Sequence, residues 1–399
     1  MRRLTRIAAT VGLVALTVVG STAGVHQVAA APDVVGHVYV NDNTAGTNTI
    51  GAFDRFADGT LAPMNGSPFT AGGAGTGTIV GSQGALQVTD DGRYLLAADA
   101  GSNQISVLRI DRDGKLHPVD SSPVASGGIQ PISIAVHDDL VYVANLGDGT
   151  TGSNYTGFRL RDNGRLTPLR NSTVPLPNTA LPGDVFFNAD GTHLVGTEVG
   201  TTDPSTFKID SFVVGHDGRL TAAPGSPFAA QGAGPFGSEF RPTNPTQLYV
   251  SNAHNGAGKG TVSAFHVARD GTLTSIGDSP YPDNQTAPCW VEITHDGRYL
   301  FTVNTGDSTI SRYRIQGDGS LTLLGSTPLK NPTGVLRSFD ARLAPNGNEL
   351  YVVDAGLDAV SVLAVDGGSL TELSVSPVAL PAGATPFGIV VTASHAHDN

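Results

Sequence analysis

Acidic side chains able to do acid–base chemistry recur at equivalent positions of a repeated strand pattern. Asp184 and Asp340 occupy one such position in their repeats, and Glu239, Glu292 and Arg342 lie two residues further along in theirs. Because strand side chains alternate with a period of two, these five residues face one side, which we interpret as a central channel. Crowded carboxyl groups raise one another's pKa and can act as general acids or bases.

Three interpretations of this acidic group are open. In an active site, Glu239 and Arg342 would act in catalysis, and Asp184 and Asp340 would bind the substrate, a small molecule in the channel. The same carboxylates could coordinate a hard divalent cation such as Ca²⁺, although we expect no required cofactor. They could also be structural and bond to neighbouring strands or channel water.

A second group of candidates follows the second strand of each repeat. Most repeats place Asn or Asp there, which we interpret as side chains that cap the loop backbone by hydrogen bonds. The residues at or next to this position are Asn41, Asp99, Asn145, Glu198, Asn252, His254, Asn304 and Asp354. Glu198 and His254 depart from the pattern, so we single them out as catalytic candidates, with solvated loop residues as the alternative.

Cys289 and Trp290 begin one inner strand and are the only cysteine and tryptophan. Trp290 could be an aromatic platform for a ligand or a packing residue, and Cys289 has no evident His partner that would activate its thiol. A Gly-rich run at residues 72–77 lacks the Lys-Ser/Thr of a phosphate loop, so we interpret it as a linker into the second repeat's inner strand. No histidine pair has zinc-ligand spacing.

The N-terminal residues and the overall charge indicate where the protein acts and which partners are disfavoured. Residues 1–30 have a basic start, a short apolar stretch and small residues at 28–30, which is typical of a secretory signal peptide. Removing them changes the formal charge from −12 to −15, because they contain three Arg and no acidic residue. Such an acidic surface disfavours nucleic acid as a partner. We predict a secreted or extracytoplasmic monomer with no transmembrane segment.

A short turn motif recurs along the whole chain and defines the repeat. The motif is Asp, Asn or Gly followed by Gly-x-Leu, and its leucines are Leu61, Leu116, Leu166, Leu220, Leu273, Leu321 and Leu370. They are 48 to 55 residues apart, a period typical of propeller blades. A Ser/Thr-Pro step follows most of these turns. We therefore predict one domain at residues 31–394 and a disordered tail at 395–399.

Each repeat has the pattern of four antiparallel strands, shown most clearly by the sixth, with segments at 289–293, 299–304, 309–315 and 321–324. We predict an all-β, seven-bladed propeller without helices. The first repeat begins with a second-strand pattern at residues 37–40, and the chain ends with an inner-strand pattern at 385–391. We expect the C-terminal strand to complete blade one, because closure removes exposed sheet edges.

Seven such repeats with Asp-Gly-Arg-Tyr-Leu and Asp-Gly-x-Leu turns resemble the lactonase-type propellers, which include bacterial propeller 6-phosphogluconolactonases and fungal carboxy-muconate cyclases. The segments 285–290 and 302–306 are similar to the exported bacterial branch. The resemblance covers about residues 35–393 and implies chemistry at the channel mouth, where His, Arg and Glu handle a lactone. Relatives carry His or Arg where the inner strands begin; here Arg337 and Arg342 are the nearest basic residues.

Two hypotheses of function follow. The first is an exported lactonase-like hydrolase or cycloisomerase, with Glu198 or Glu239 as the base and Arg337 or Arg342 holding a substrate carboxylate. The second is a non-catalytic propeller that binds a protein, glycan or small ligand. Turnover of a lactone would discriminate between them.

Overall fold

The computed structural model describes residues 33–330, 334 and 337–394, which form seven antiparallel sheets arranged as propeller blades. The predicted leader and the predicted tail lie outside the described residues. In each blade the strands run in order from an inner strand at the channel to an outer strand at the rim. The all-β, seven-bladed prediction is confirmed.

The strand bounds repeat from blade one to blade seven. The inner strands are Ile389–Ala393, Leu86–Val88, Pro131–His137, Pro182–Phe187, Pro235–Arg241, Pro288–Ile293 and Ser338–Leu343. The second strands are Val34–Asn41, Tyr94–Asp99, Leu140–Asn145, His193–Glu198, Asn244–Asn252, Tyr299–Asn304 and Glu349–Asp354. The third strands are Thr49–Phe56, Gln104–Ile110, Asn154–Leu160, Lys208–Val214, Thr261–Val267, Thr309–Ile315 and Ala359–Asp366.

The outer strand is split in six of the seven described blades. Its first parts are Leu61–Pro63, Leu116–Pro118, Leu166–Pro168, Leu220–Ala222, Leu273–Ser275, the continuous Leu321–Pro328 of blade six, and Ser369–Glu372. Its second parts, in the other six blades, are Phe69–Thr70, Val124–Ala125, Val174–Pro175, Phe228–Ala229, Tyr281–Pro282 and Val378–Ala379. Both parts pair with the same third strand. The four-stranded prediction therefore holds, with an interruption that the sequence pattern did not resolve.

The repeated serine of the Ser-Pro step explains how the interruption is tolerated. Ser67 Oγ accepts a hydrogen bond from Ala52 N at 2.8 Å, and Ser226 Oγ accepts one from Ser211 N at 3.0 Å. A serine makes the same contact with the third strand in four further blades. The hydroxyl replaces the carbonyl that a continuous outer strand would supply, so the third-strand amide stays paired.

The C-terminal strand closes the ring in the predicted way. Ile389–Ala393 pairs antiparallel with Val34–Asn41, with Val391 opposite Val38 and Val390 opposite Tyr39. Val38, Tyr39 and Val40 are fully buried, so closure completes the core of blade one. In the part of the chain that the structure describes, the one departure from the no-helix prediction is a single 3₁₀ turn, Pro204–Thr206, capped by Asp203. No helix of the described residues is long and apolar enough to cross a membrane.

Candidate functional site

The channel opens on two faces of the ring, an upper mouth and a lower mouth. The upper mouth is the face where the inner strands begin, together with the loops from second to third strands. The lower mouth is the face where the inner strands end, together with the turns into the second strands. Glu198, His254 and Arg337 lie on elements of the upper face, and Glu239, Glu292 and Arg342 lie in the lower half of the inner strands.

Asp184 and Asp340 are buried in the middle of the channel with no exposed surface. Asp184 accepts hydrogen bonds from Ser238 N at 2.9 Å and Ser238 Oγ at 2.7 Å in the next blade. Burial raises the pKa of Asp184 to about 7, against the opposing effect of these hydrogen bonds. Both carboxyl groups are therefore held by protein atoms, and no part of either side chain is open to a ligand.

Glu292 and Arg342 form an ion pair that joins blades six and seven. Arg342 Nη1 lies 3.2 Å from Glu292 Oε2 and 3.7 Å from Asp340 Oδ1. The other Glu292 oxygen accepts a hydrogen bond from Leu343 N at 2.8 Å. The guanidinium of Arg342 is thus already neutralised by two carboxylates, which leaves it poorly suited to hold a substrate carboxylate.

A common arrangement accounts for most of the channel's polar residues. The channel side of each inner strand is a sheet edge, so its backbone N–H groups lack a partner strand. A side chain of another inner-strand segment bonds to one of these groups instead. The contacts are Ser133 with Val185 N, Asp184 with Ser238 N, Gln83 with Val291 N, Glu239 with Ile293 N, Glu292 with Leu343 N and Asp340 with Ile389 N. This inter-blade clasp is the structural role that the sequence left as one of three interpretations.

Residues 82–85 enter the channel and close its centre. Gln83 is 1% exposed, donates from Nε2 to Ser238 O at 2.8 Å and accepts at Oε1 from Val291 N at 2.9 Å. Gly237 makes room for it, since a Cβ at that position would lie 2.2 Å from Gln83 Oε1. The linker predicted from the Gly-rich run therefore leads into a segment that spans the axis and joins blades two, five and six.

Trp290 packs inside this closed layer. It is 2% exposed, its ring lies 5.0 Å from that of Phe339 and 5.3 Å from that of Phe236, and its Nε1 donates to Ser82 O at 2.8 Å. Burial raises the pKa of the adjacent Cys289 thiol to about 12. The structure thus places Trp290 in the core, with no ring face turned to solvent as a platform would need.

Glu239 differs from the other channel acids because one of its oxygens is not used. Its carboxyl group accepts a hydrogen bond from Ile293 N, whereas Oε2 is buried and has no hydrogen-bond partner among the described residues. Burial, reinforced by the negative charge of Glu292, raises the pKa of Glu239 well above its usual range, although Arg342 partly opposes the shift. These effects favour the protonated form of Glu239 more than in an exposed glutamate.

The Glu239 side chain lines a cavity of about 380 Å³ at the lower mouth, between the inner-strand ends of blades two to five. This volume is within the range of small-molecule sites. Gln87, Asp90, His137 and Asn188 supply the other polar groups of the lining, and its remaining residues are apolar. The cavity therefore combines an apolar surface with a few convergent polar groups.

His137 was not among the predicted site residues. It ends the inner strand of blade three, its ring lies 6.0 Å from that of Phe187, and 27% of its side chain is exposed. The sequence contained a signal for it, because His137 follows Ser133 and Ala135 at the period of two that turns side chains to the channel. Its position at the strand end, outside the two aligned positions, hid that signal.

Glu198 is held inside blade four rather than exposed at the upper mouth. It is 4% exposed, and its carboxyl group shares a hydrogen bond with Asp210 on the adjacent strand. Tyr155 of blade three donates to Asp210 Oδ2 at 3.0 Å. Burial and the charge of Asp210 raise the pKa of Glu198 to about 8, while the pKa of Asp210 rises only to about 6. The pair therefore favours one shared proton, which resides mainly on Glu198.

His254 and Arg337 lie on the same face in separate blades. His254 follows the second strand of blade five, its ring packs against Gly234, and partial burial lowers its pKa, which favours the neutral imidazole. Arg337 is exposed just before the inner strand of blade seven. Within the described residues, neither shares a recorded side-chain contact with Glu198.

The geometry also bears on the cation interpretation. Among residues 33–330, 334 and 337–394, no group of three or more His, Cys, Asp or Glu side chains is arranged to hold a metal ion. The channel carboxylates instead bond to backbone N–H groups and Arg342, as described above.

Comparison with known proteins shows which family the sequence matches. The family model described as lactonase, seven-bladed β-propeller, matches residues 37–182 and 185–397. A sequence search of curated proteins found no match. Among solved structures, a periplasmic gluconolactonase from Pseudomonas aeruginosa is 18% identical with a TM-score of 0.68, covering 90% of this chain and 100% of that one. A candidate 6-phosphogluconolactonase from Bacteroides uniformis is 19% identical with a TM-score of 0.70, with the same coverage. Identities this low carry the fold alone.

Proposed function

Since the chain belongs to the lactonase family of seven-bladed β-propellers, we propose that it hydrolyses a lactone in the cavity at the lower mouth of the channel. The observation that carries the proposal is Glu239, which lines this cavity, has an unpartnered carboxyl oxygen and has a pKa raised by burial. A general acid at neutral pH needs such a raised pKa.

The reaction divides between two side chains. His137 accepts a proton from water as the water oxygen bonds to the lactone carbonyl carbon. The acyl–oxygen bond of the ring then breaks, and Glu239 gives its proton to the departing ring oxygen, which becomes an alcohol. The product is an open hydroxy acid, and proton exchange with solvent restores both residues. Ring closure is the same path in reverse, with the roles exchanged.

The proposal is tested with purified protein, a panel of lactones and three Glu→Gln or His→Gln variants. Glu239→Gln and His137→Gln are each expected to lower kcat/KM by 10²- to 10⁴-fold, the usual contribution of general acid–base catalysis. The matched control is Glu372→Gln in the outer strand of blade seven, which is expected to keep the parent rate.

The outcomes discriminate among the alternatives. Loss of activity in Glu198→Gln or Arg337→Ala, with Glu239→Gln fully active, would move the active site to the upper mouth. No turnover of any lactone by the parent protein would favour the non-catalytic binding propeller.

We also propose that the protein is exported, on the basis of the pattern in residues 1–30. Expression of the full chain in a bacterial host, followed by N-terminal sequencing of protein recovered outside the cytoplasm, tests this. A mature chain beginning at residue 31 or 32 is the expected result. Protein that retains Met1 and stays in the cytoplasm would contradict it.

A further inference from the structure

We propose that the lower-mouth cavity selects an uncharged lactone with a small apolar substituent and rejects lactones that carry a phosphate or carboxylate. This inference rests on the proposed function and adds the substrate class to it. It is drawn from the cavity lining, from the state of the nearby guanidinium groups and from the charge of the product.

The lining has no positive group to receive an anion. None of the twelve residues that line the cavity is Lys or Arg, and two of them, Asp90 and Glu239, are acidic. An anion moved from water into such a place loses its hydration and gains no opposite charge. A phosphate or carboxylate substituent would therefore weaken binding.

The two nearest inner-strand arginines are already engaged. Arg342 is paired with Glu292 and Asp340. Arg241 follows Glu239 by two residues, but its guanidinium donates to Gly297 O at 2.7 Å, to Gln247 Oε1 at 2.9 Å and to Gln316 O at 3.2 Å. Turning either side chain toward a ligand would break contacts that hold neighbouring strands.

The apolar part of the lining is suited to a hydrocarbon group. Val136, Phe186, Phe187, Phe240 and Pro242 supply most of it, and Phe186 is only half-buried at the cavity wall. Burying an alkyl or aryl substituent there gains about 25 cal/mol per Å² of apolar surface. At about 380 Å³ the cavity lies near the lower end of the range for ligand sites, which favours a single ring with a short chain.

Hydrolysis makes the bound molecule negatively charged, which assists its release. A neutral lactone becomes a hydroxy acid, which is ionised at neutral pH. Once proton exchange with solvent has restored Glu239 and His137, the new carboxylate shares the lining with the Asp90 carboxylate and with no Lys or Arg, so like-charge repulsion favours its release. The same acidic surroundings that reject an anionic substrate therefore expel the anionic product.

The test compares kcat/KM for three substrates on the full protein: an alkyl-substituted γ- or δ-lactone, glucono-δ-lactone and its 6-phosphate. We expect the alkyl lactone to exceed the phosphate ester by at least about 100-fold. In Phe186→Ala, kcat/KM for the alkyl lactone should fall through KM by roughly 10-fold more than kcat/KM for unsubstituted butyrolactone does. In Gln87→Arg, kcat/KM for a carboxylated lactone should rise about 10-fold or more.

Failure of this inference is distinguishable from failure of the proposed function. If the phosphate ester is preferred and Glu239→Gln still abolishes turnover, the substrate class is wrong and the lactonase function stands. If no lactone is turned over, or if Glu239→Gln keeps full activity, the proposed function fails and the substrate class fails with it. An alkyl-lactone preference that is unchanged in Phe186→Ala would also overturn the inference.

Discussion

At the scale of single residues, the acidic side chains of this protein divide by their partners. Asp184, Glu292 and Asp340 bond to the backbone of neighbouring strands, whereas Glu239 keeps an unpartnered oxygen. Glu198 shares a proton with Asp210 inside blade four, where most other blades have a Ser or Thr in the place of Asp210. The same residue type therefore serves as clasp, proton donor or buried acid pair according to its surroundings.

The buried acid pair predicts how stability depends on pH. The pKa of Glu198 rises from 4.5 to about 8 on folding, so the folded chain binds a proton that the unfolded chain has lost above pH 4.5. Its contribution to stability is fully present below that pH and is lost as the pH rises toward 8. Glu198→Gln keeps the shape and has no proton to lose. We expect its thermal midpoint to depend less on pH between 5 and 8 than that of the parent protein.

Thermal unfolding of both proteins at one-unit pH intervals measures this difference. Glu372→Gln serves as the control, since its carboxyl group accepts a hydrogen bond from Ser376 Oγ in the outer strand region of blade seven, away from the Glu198–Asp210 pair. Parallel curves for the parent and Glu198→Gln would contradict the assignment of the proton to Glu198.

At the scale of elements, the inner strands need partners for a sheet edge that faces the channel. In five of the six contacts of the clasp, the partner is a side chain of the preceding blade's inner strand. Gln83 supplies the sixth from the far side of the ring, because Gly237 has no side chain to reach Val291 N. Segment 82–85 thus replaces a missing side chain and fills the channel at once.

Because Gln83 takes the place of the side chain that Gly237 lacks, we expect Gln83→Ala to be strongly destabilising. The substitution removes two buried hydrogen bonds and leaves Val291 N and Ser238 O without partners. We expect the free energy of unfolding to fall by about 2–4 kcal/mol, measured by urea denaturation. Gln87→Ala, four residues further along the chain and half-exposed at the cavity, is the matched control and should change the free energy of unfolding by less than ~0.5 kcal/mol. Equal midpoints for the two variants would show that Gln83 does not hold the ring.

At the scale of the whole molecule, stability depends on closing a ring of blades. Hydroxyl groups on the second strands also join neighbours, as when Tyr351 donates to Gly59 O at 3.0 Å and Tyr142 to Gly218 O at 2.9 Å. These contacts end on the repeated Gly-x-Leu turns, so each of these turns both reverses the chain and accepts a hydrogen bond from the preceding blade. At the channel, the contact between blades seven and one is that of Asp340 with Ile389 N, which requires the C-terminal strand.

Removal of that strand is expected to abolish cooperative unfolding. A chain that ends at residue 388 lacks Ile389–Ala393, which exposes Val38, Val40 and an unpaired edge of blade one. We expect it to aggregate or to lose the single thermal transition, as followed by circular dichroism and size-exclusion chromatography. A chain that ends at residue 394 retains the strand and should behave as the full chain does. A stable, cooperative 388-residue chain would contradict the closure argument.

The repeat, its strands and ring closure were accessible from the sequence because they depend on local patterns. The sixth repeat's predicted segments at 299–304 and 309–315 coincide with strands Tyr299–Asn304 and Thr309–Ile315. Asp-Gly turns and alternating side chains fix such strands within a few residues. The alternation also indicated correctly that Asp184, Glu239, Glu292, Asp340 and Arg342 share the channel.

Only the tertiary structure decided which of these residues are free to act. Hydrogen-bond partners such as Ser238 N for Asp184 belong to another blade, about 50 residues away in the chain, and no local pattern encodes them. The entry of Gln83 into the channel, the pairing of Glu198 with Asp210, and the meeting of His137 and Glu239 in the lining of one cavity follow in the same way. Strand patterns are set by neighbours in sequence, whereas burial and proton affinity are set by neighbours in space.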